Sequence, residues 1–223
     1  MSRFHSLRLA LPLLFAGLAT SVFAVDGVVL IDQNRALAGN VTPGDTPGFP
    51  VTLSQPGSYR LSGNLSVPSG QNAILIAAQN ITIDLNGFSI TTPVQLQIGG
   101  AIGIVSNGIA LPNNIKIHNG TIEGFIGPFN LYAFAPAGYQ ACRYCILEDL
   151  NLRWGLPGAS SSIDLGMYNR VRNVTASTHN INVFCPSVVT GVVAQNASQA
   201  IDFPGDADSH TGTCVFADNS FGN

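Results

Sequence analysis

The chain has 223 residues, enough for one domain with a sizeable core, and 46% of them are hydrophobic, too many for disorder. Only 9% are charged, and nine basic residues stand against twelve acidic ones. So few cations argue against nucleic acid or an anionic membrane as partner, because phosphate binding rests on clustered Lys and Arg.

The first 24 residues read as an export leader. Arg3, His5 and Arg8 form a basic start, residues 9–18 an apolar run too short to span a bilayer, and Val22, Phe23 and Ala24 a small-residue cleavage site. The expectation is a chain that works in the periplasm or outside the cell. Without Arg3 and Arg8, seven basic residues face the twelve acidic ones. Residues 25–72 then read as an N-terminal cap and first strands, with QNRALAG as one or two helical turns and VTPGDTPGFP as a Pro/Gly-rich loop.

From residue 73 onward a motif repeats. A bulky apolar residue is followed, five positions on, by a second apolar or small one: Ile117/Ile122, Leu147/Leu152, Val171/Ala176, Val189/Ala194 and Phe216/Phe221, with Ile83 opening an imperfect sixth copy. The third position is Asn119, Asp149, Asn173, Gly191 or Asp218. Asn and Asp tolerate left-handed backbone, and stacked amides can bond to one another. A strand, polar bend, strand unit that cannot close a core alone predicts a solenoid, with like positions stacked. No run after the leader has helical periodicity, and successive units are too far apart for hairpins. The expected fold is all-β: a single-stranded right-handed parallel β-helix of about six coils. The first anchors are 34, 30, 24, 18 and 27 residues apart. Constant strands joined by uneven connections put the two longest, in residues 91–114 and 125–144, in projecting loops.

Four cysteines in an exported chain favour disulfides over metal or redox chemistry. Cys145 and Cys214 both precede an anchor by two residues but lie three coils apart, ~14 Å at ~4.8 Å per coil, beyond disulfide reach. The expected pairs are therefore Cys185 with Cys214 and Cys142 with Cys145; buried free thiols stay open as the alternative.

The phrases SQPGSYRLSGNL, NITIDLNGFSI, NIKIHNGTIEGF and CVFADNSFGN resemble the coils of exported bacterial right-handed parallel β-helix proteins of the pectate-lyase-like superfamily, over residues 51–223. That superfamily spans polysaccharide lyases, glycoside hydrolases, epimerases, esterases and non-catalytic surface proteins, so the resemblance implies fold more than activity. The calcium-site acids and catalytic Arg/Lys motif of a lyase match no stretch here.

In this register the residues after each first anchor are Asp84, His118, Glu148, Arg172, Thr190 and Ala217; those before it are Thr82, Lys116, Ile146, Arg170, Val188 and Val215. Both columns should face outward, gathering six ionisable groups on one face. The functional reading is a saccharide groove. Asp84, Lys116 and Arg170 would bind an acidic polymer, while His118, Glu148 and Arg172 would be catalytic, His118 exchanging protons with a carboxylate. An enzyme of this kind would be a uronan lyase or epimerase; Asp84 and Glu148, ~10 Å apart, are slightly wide for an inverting hydrolase. The same residues also read as an exposed ladder of opposite charges, as do Glu123 and Arg153.

Weaker signals lie in the connections. Asp202, Asp206 and Asp208 offer oxygen donors of the kind calcium takes, or are solvated loop acids. His179 and His210 sit nearby, and Trp154, Phe129, Tyr132, Phe134 and Tyr139 could stack on sugar rings or cover the core. The competing class is a non-catalytic structural or adhesive solenoid, whose open C-terminal end invites end-to-end self-association.

Overall fold

The computed structural model describes residues 27–93, 100–104, 113–125, 127–130, 132–135, 138–153, 161–177, 179–183, 186–195, 201–202 and 215–222. The described residues are all-β apart from one six-residue helix, and most of their strands pair in parallel. This arrangement is compatible with a β-solenoid. The expected leader, Cys185, Cys214, Trp154, His210, Asp206 and Asp208 lie outside the described residues.

Eight strands form the main path of the largest sheet: β1 (Val28–Ile31), β2 (Gly57–Leu61), β3 (Ile81–Asp84), β4 (Ile115–Glu123), β5 (Ile146–Arg153), β6 (Arg170–Ser177), β7 (Val188–Thr190) and β8 (Val215–Ala217). Each pairs in parallel with the next, and the register stacks Ile83, Ile117, Leu147, Val171, Val189 and Phe216 in one column. Upstream the column continues through Tyr59 to Val29, so parallel pairing begins well before residue 73. The second anchors stack likewise, Leu65 on Ile90, Ile90 on Ile122, then Leu152, Ala176, Ala194 and Phe221.

Alternation explains which residues turn inward. Along β4, Ile115, Ile117 and Ile122 are buried while Lys116 and His118 between them are not. Each fully buried Ile, Leu or Val contributes about 1.5–3 kcal/mol. Column after column of such residues forms the core.

The polar third position does what its residue types predict. Asn119, Asp149, Asn173, Gly191 and Asp218 all have φ between 51° and 63°, in the left-handed region. Asn173 Nδ2 donates to Asp149 Oδ1 at 3.0 Å, and Asn119 Nδ2 to Asp84 Oδ1 at 3.1 Å. At Gly191 a Cβ would lie 2.7 Å from Asn173 Oδ1, so the stack of side chains stops at a residue without one.

The imperfect copy also has a physical reason. Ile83 and Ile90 are seven residues apart, yet they pair with Ile117 and Ile122, five apart. The extra length turns Leu85 fully inward, and Gly120 of the next strand leaves room for it: a Cβ there would come within 2.4 Å of Leu85 Cβ.

The longest connections differ from the expected loops. Gly100–Ile104 and Gly127–Asn130 are strands of a second parallel sheet with Ile74–Ile76 and Val51–Leu53, while Tyr132–Ala135 and Gly138–Ala141 form an antiparallel pair. A third parallel sheet joins Ser161–Leu165, His179–Val183 and Ile201–Asp202. Short runs such as GAIGI and SSIDL pair here because a neighbouring strand supplies the hydrogen bonds that their own weak patterning does not advertise.

The helix, Gln33–Ala38, follows β1. Asp32 caps its start by accepting from the Arg35 N–H at 2.9 Å, and Gly39, at φ 73°, ends it. The Pro/Gly loop behind it is pinned: the buried Asp45 carboxylate accepts from Val41 N–H at 3.0 Å and Thr52 N–H at 2.7 Å.

Candidate functional site

Parallel register brings the expected site residues into two adjacent columns. The column after the first anchor runs Leu30, Arg60, Asp84, His118, Glu148, Arg172, Thr190 and Ala217. The column before it runs Val28, Ser58, Thr82, Lys116, Ile146, Arg170, Val188 and Val215. From Tyr59 to Val189 the inward neighbours of both columns are buried anchors, which leaves the column side chains on the opposite side of the sheet.

Side-chain contacts divide the face into two clusters. In the first, Asp84 accepts from Arg60 Nε at 3.0 Å, from Asn119 Nδ2 at 3.1 Å and from the Asn86 N–H at 2.8 Å, and its Oδ1 lies 3.9 Å from His118 Nδ1. Arg60 is a site residue the motif did not reveal. In the second, Glu148 pairs with Lys116 on the preceding strand and with Arg172 Nη2 on the following one, the latter at 3.0 Å. His118 and Glu148 are neighbours in register, but Glu148 spends its oxygens on the two cations. Of the two carboxylates that flank His118 in register, the described contacts bring only Asp84 to it.

The electrostatics follow from these contacts. The Lys116 ammonium, outweighing partial burial and helped by the Arg172 guanidinium, holds the Glu148 carboxyl below its ordinary value. Burial alone would push Asp84 up, but the Asn86 N–H, the Asn119 and Arg60 side chains and His118 together outweigh it, and this carboxyl too is lowered. Both carboxylates are thereby favoured in their ionised form.

Arg170 is exposed and, among the described residues, has no ion-pair partner. The Arg172 side chain keeps 50% of its surface in solvent and that of Arg60 47%. The two columns therefore carry Arg60, Lys116, Arg170 and Arg172 against Asp84 and Glu148, a cationic excess in a chain whose formal net charge is −3. Glu123 and Arg153 stand side by side in register one strand apart.

Cys142 and Cys145 are joined in a disulfide, with Cα atoms 6.0 Å apart, and both are fully buried. Arg143 and Tyr144 are held between them. Phe129, Tyr132, Phe134, Tyr139 and His179 fall in strands of the connecting segments, as does Asp202, rather than in loops. Among the described residues no group of three or more His, Cys, Asp or Glu could hold a metal ion, and no helix is long and apolar enough to cross a membrane.

In comparisons with known proteins, no family model matches the chain, and no curated protein or solved structure matches it significantly.

Proposed function

We propose that this chain is a right-handed parallel β-helix of the pectate-lyase-like kind, capped by its N-terminal helix, that binds an acidic polysaccharide outside the cytoplasm along the face bearing Arg60, Lys116, Arg170 and Arg172. Eight strands on the main path favour a coil count above the six read from the motif alone. The observation that carries the functional reading is the cationic excess on this one face of an acidic chain. Carboxylates repeated along a polymer match guanidinium groups repeated along a sheet, each at a spacing set by its own backbone. Calcium, bridging sugar carboxylates to the chain's own acids, is the accompanying cation this reading allows.

Its enzymatic form makes His118 the group that moves a proton from a uronate, with Arg172 neutralising the substrate carboxylate. Asp84, anchored by Arg60, would orient the imidazole. Affinity electrophoresis and calorimetry with polygalacturonate, alginate and neutral dextran test the binding reading, and absorbance from unsaturated sugar ends tests turnover. The expected result is retention by the acidic polymers alone, lost in the Arg170→Ala/Arg172→Ala double variant, whose stability should fall by no more than about 1 kcal/mol, the worth of the half-exposed Arg172–Glu148 pair. A wild-type chain that ignores both uronans would end the proposal.

A second reading is end-to-end association. It is favoured by the strand edges at the two ends of the main path, where among the described residues β1 pairs only with β2 and β8 only with β7. Size-exclusion chromatography over a range of concentrations tests it, and a concentration-independent monomer would discard it.

A further inference from the structure

The position three residues before the first anchor, in the bend that leads into each of four successive main-sheet strands, holds Asn80, Asn114, Tyr144 and Tyr168. All four are in the left-handed region, with φ of 58°, 56°, 57° and 63°. Asparagine adopts that conformation readily, and Asn114 Nδ2 donates to Asn80 Oδ1 at 2.9 Å, tying two repeats together. Tyrosine does not. A bulky side chain there costs of order 1–2 kcal/mol at each position. The tyrosines nevertheless leave 53% and 48% of their surface in solvent.

Holding the bend does not require them. The link between repeats is made one residue later and from inside: Asn169, buried, donates to Cys142 O at 2.9 Å and Gly166 O at 2.6 Å, and accepts from Cys145 N–H at 2.7 Å. The Cys142–Cys145 disulfide closes around Tyr144 and fixes the backbone that presents it. The rings of Tyr144 and Tyr168 lie 5.1 Å apart and 10° from parallel. Faces in direct contact would be about 3.5–4 Å apart, so the rings are slid past one another and each leaves part of a face open. Two extended residues, roughly 7 Å, separate Tyr168 from Arg170, and four, roughly 13 Å, separate it from Arg172.

We propose that Tyr144 and Tyr168 form an aromatic subsite that packs against the apolar face of one sugar ring of an acidic oligosaccharide whose neighbouring carboxylates are held by Arg170 and Arg172. The strained backbone, the disulfide and the buried amide present two rigid rings beside two exposed cations, and preorganised aromatic contacts of this kind lose little freedom on binding. The subsite deepens the acidic-polysaccharide reading and rests on it.

The test replaces the rings by the residue that the two preceding repeats carry. In the Tyr144→Asn/Tyr168→Asn variant, affinity for a galacturonate or mannuronate trisaccharide, measured by calorimetry, should fall about tenfold or more. Its melting temperature should hold or rise, because asparagine relieves the left-handed strain. Protein labelled with 3-fluorotyrosine has five tyrosine signals to follow, and those of Tyr144 and Tyr168 should move on adding the trisaccharide. If wild type binds the trisaccharide and the variant binds it equally well, the subsite is wrong while the acidic-polysaccharide reading stands. If wild type binds neither acidic trisaccharide, both fall. If instead the variant loses stability, the rings are structural and the subsite is overturned.

Discussion

The repeats around β3 and β4 and those around β5 and β6 share one backbone course but exchange their side-chain chemistry between inside and outside. In the earlier pair the interior position two residues before the anchor is Ile81 and Ile115, fully buried, and the left-handed position beside it is an exposed asparagine. In the later pair the interior holds Cys145 and Asn169 while the outside carries Tyr144 and Tyr168. Hydrogen bonding between repeats is conserved in kind and moved in place, from an amide pair in water to one amide in the core. The lesson is that register fixes where a group sits and leaves open which group does the holding. Once the holding is done inside, the outside position is free for recognition.

The largest effect should come from the buried amide. Asn169→Leu leaves the Cys145 N–H and the Gly166 carbonyl without their partner, which costs about 2–4 kcal/mol. Urea denaturation would show it as a drop in midpoint, and a loss below 1 kcal/mol would mean that the core does not hold the later repeats as argued. Asn114→Ala, in the earlier pair, removes an exposed bond and a residue suited to left-handed backbone, so about 1 kcal/mol is expected in the same assay. Equal losses in the two variants would erase the distinction between the regions.

Glu148 sharpens the comparison through pH. Its carboxyl is lowered in the folded chain from an ordinary 4.5, so its pairing stabilises fully above that value and is lost as pH falls through the folded value. Glu148→Gln should therefore be about 1 kcal/mol less stable than wild type at neutral pH, a modest figure because Arg172 is half exposed. The gap should close in acid, as thermal melts across pH 3–7 would reveal. The same substitution releases Lys116 and Arg172 and should tighten binding of an acidic polymer; weaker binding would argue that Glu148 positions the cations. Arg170→Ala should change stability by less than about 0.5 kcal/mol, as exposed substitutions do, while weakening polymer retention.

Much of this was legible beforehand because two signals coincide. Alternation sets which side chains face inward, and an Asn, Asp or Gly two residues after five of the six anchors sets the phase. Together they align Asp84, His118, Glu148 and Arg172 without coordinates. Arg60 escaped because Tyr59 and Leu65 are six residues apart, not five, and because the copy between it and the regular motif carries the Leu85 insertion. The connecting sheets escaped because strands such as Gly100–Ile104, three of whose five residues are glycine or alanine, gain their definition only from neighbours. The turn of Glu148 away from His118 could not be read at all: columns specify adjacency, whereas the choice among adjacent cations is settled by rotamers and distance.

Shared strand direction has a consequence for how such a protein can change over generations. A single-residue deletion inside Ile146–Arg153 would swap buried and solvated side chains along the remainder of the segment, whereas lengthening a link between repeats adds only slowly growing entropy. Variation in length should accumulate between the rungs and almost never within them, letting the walls around the charged face be remodelled over an unaltered floor.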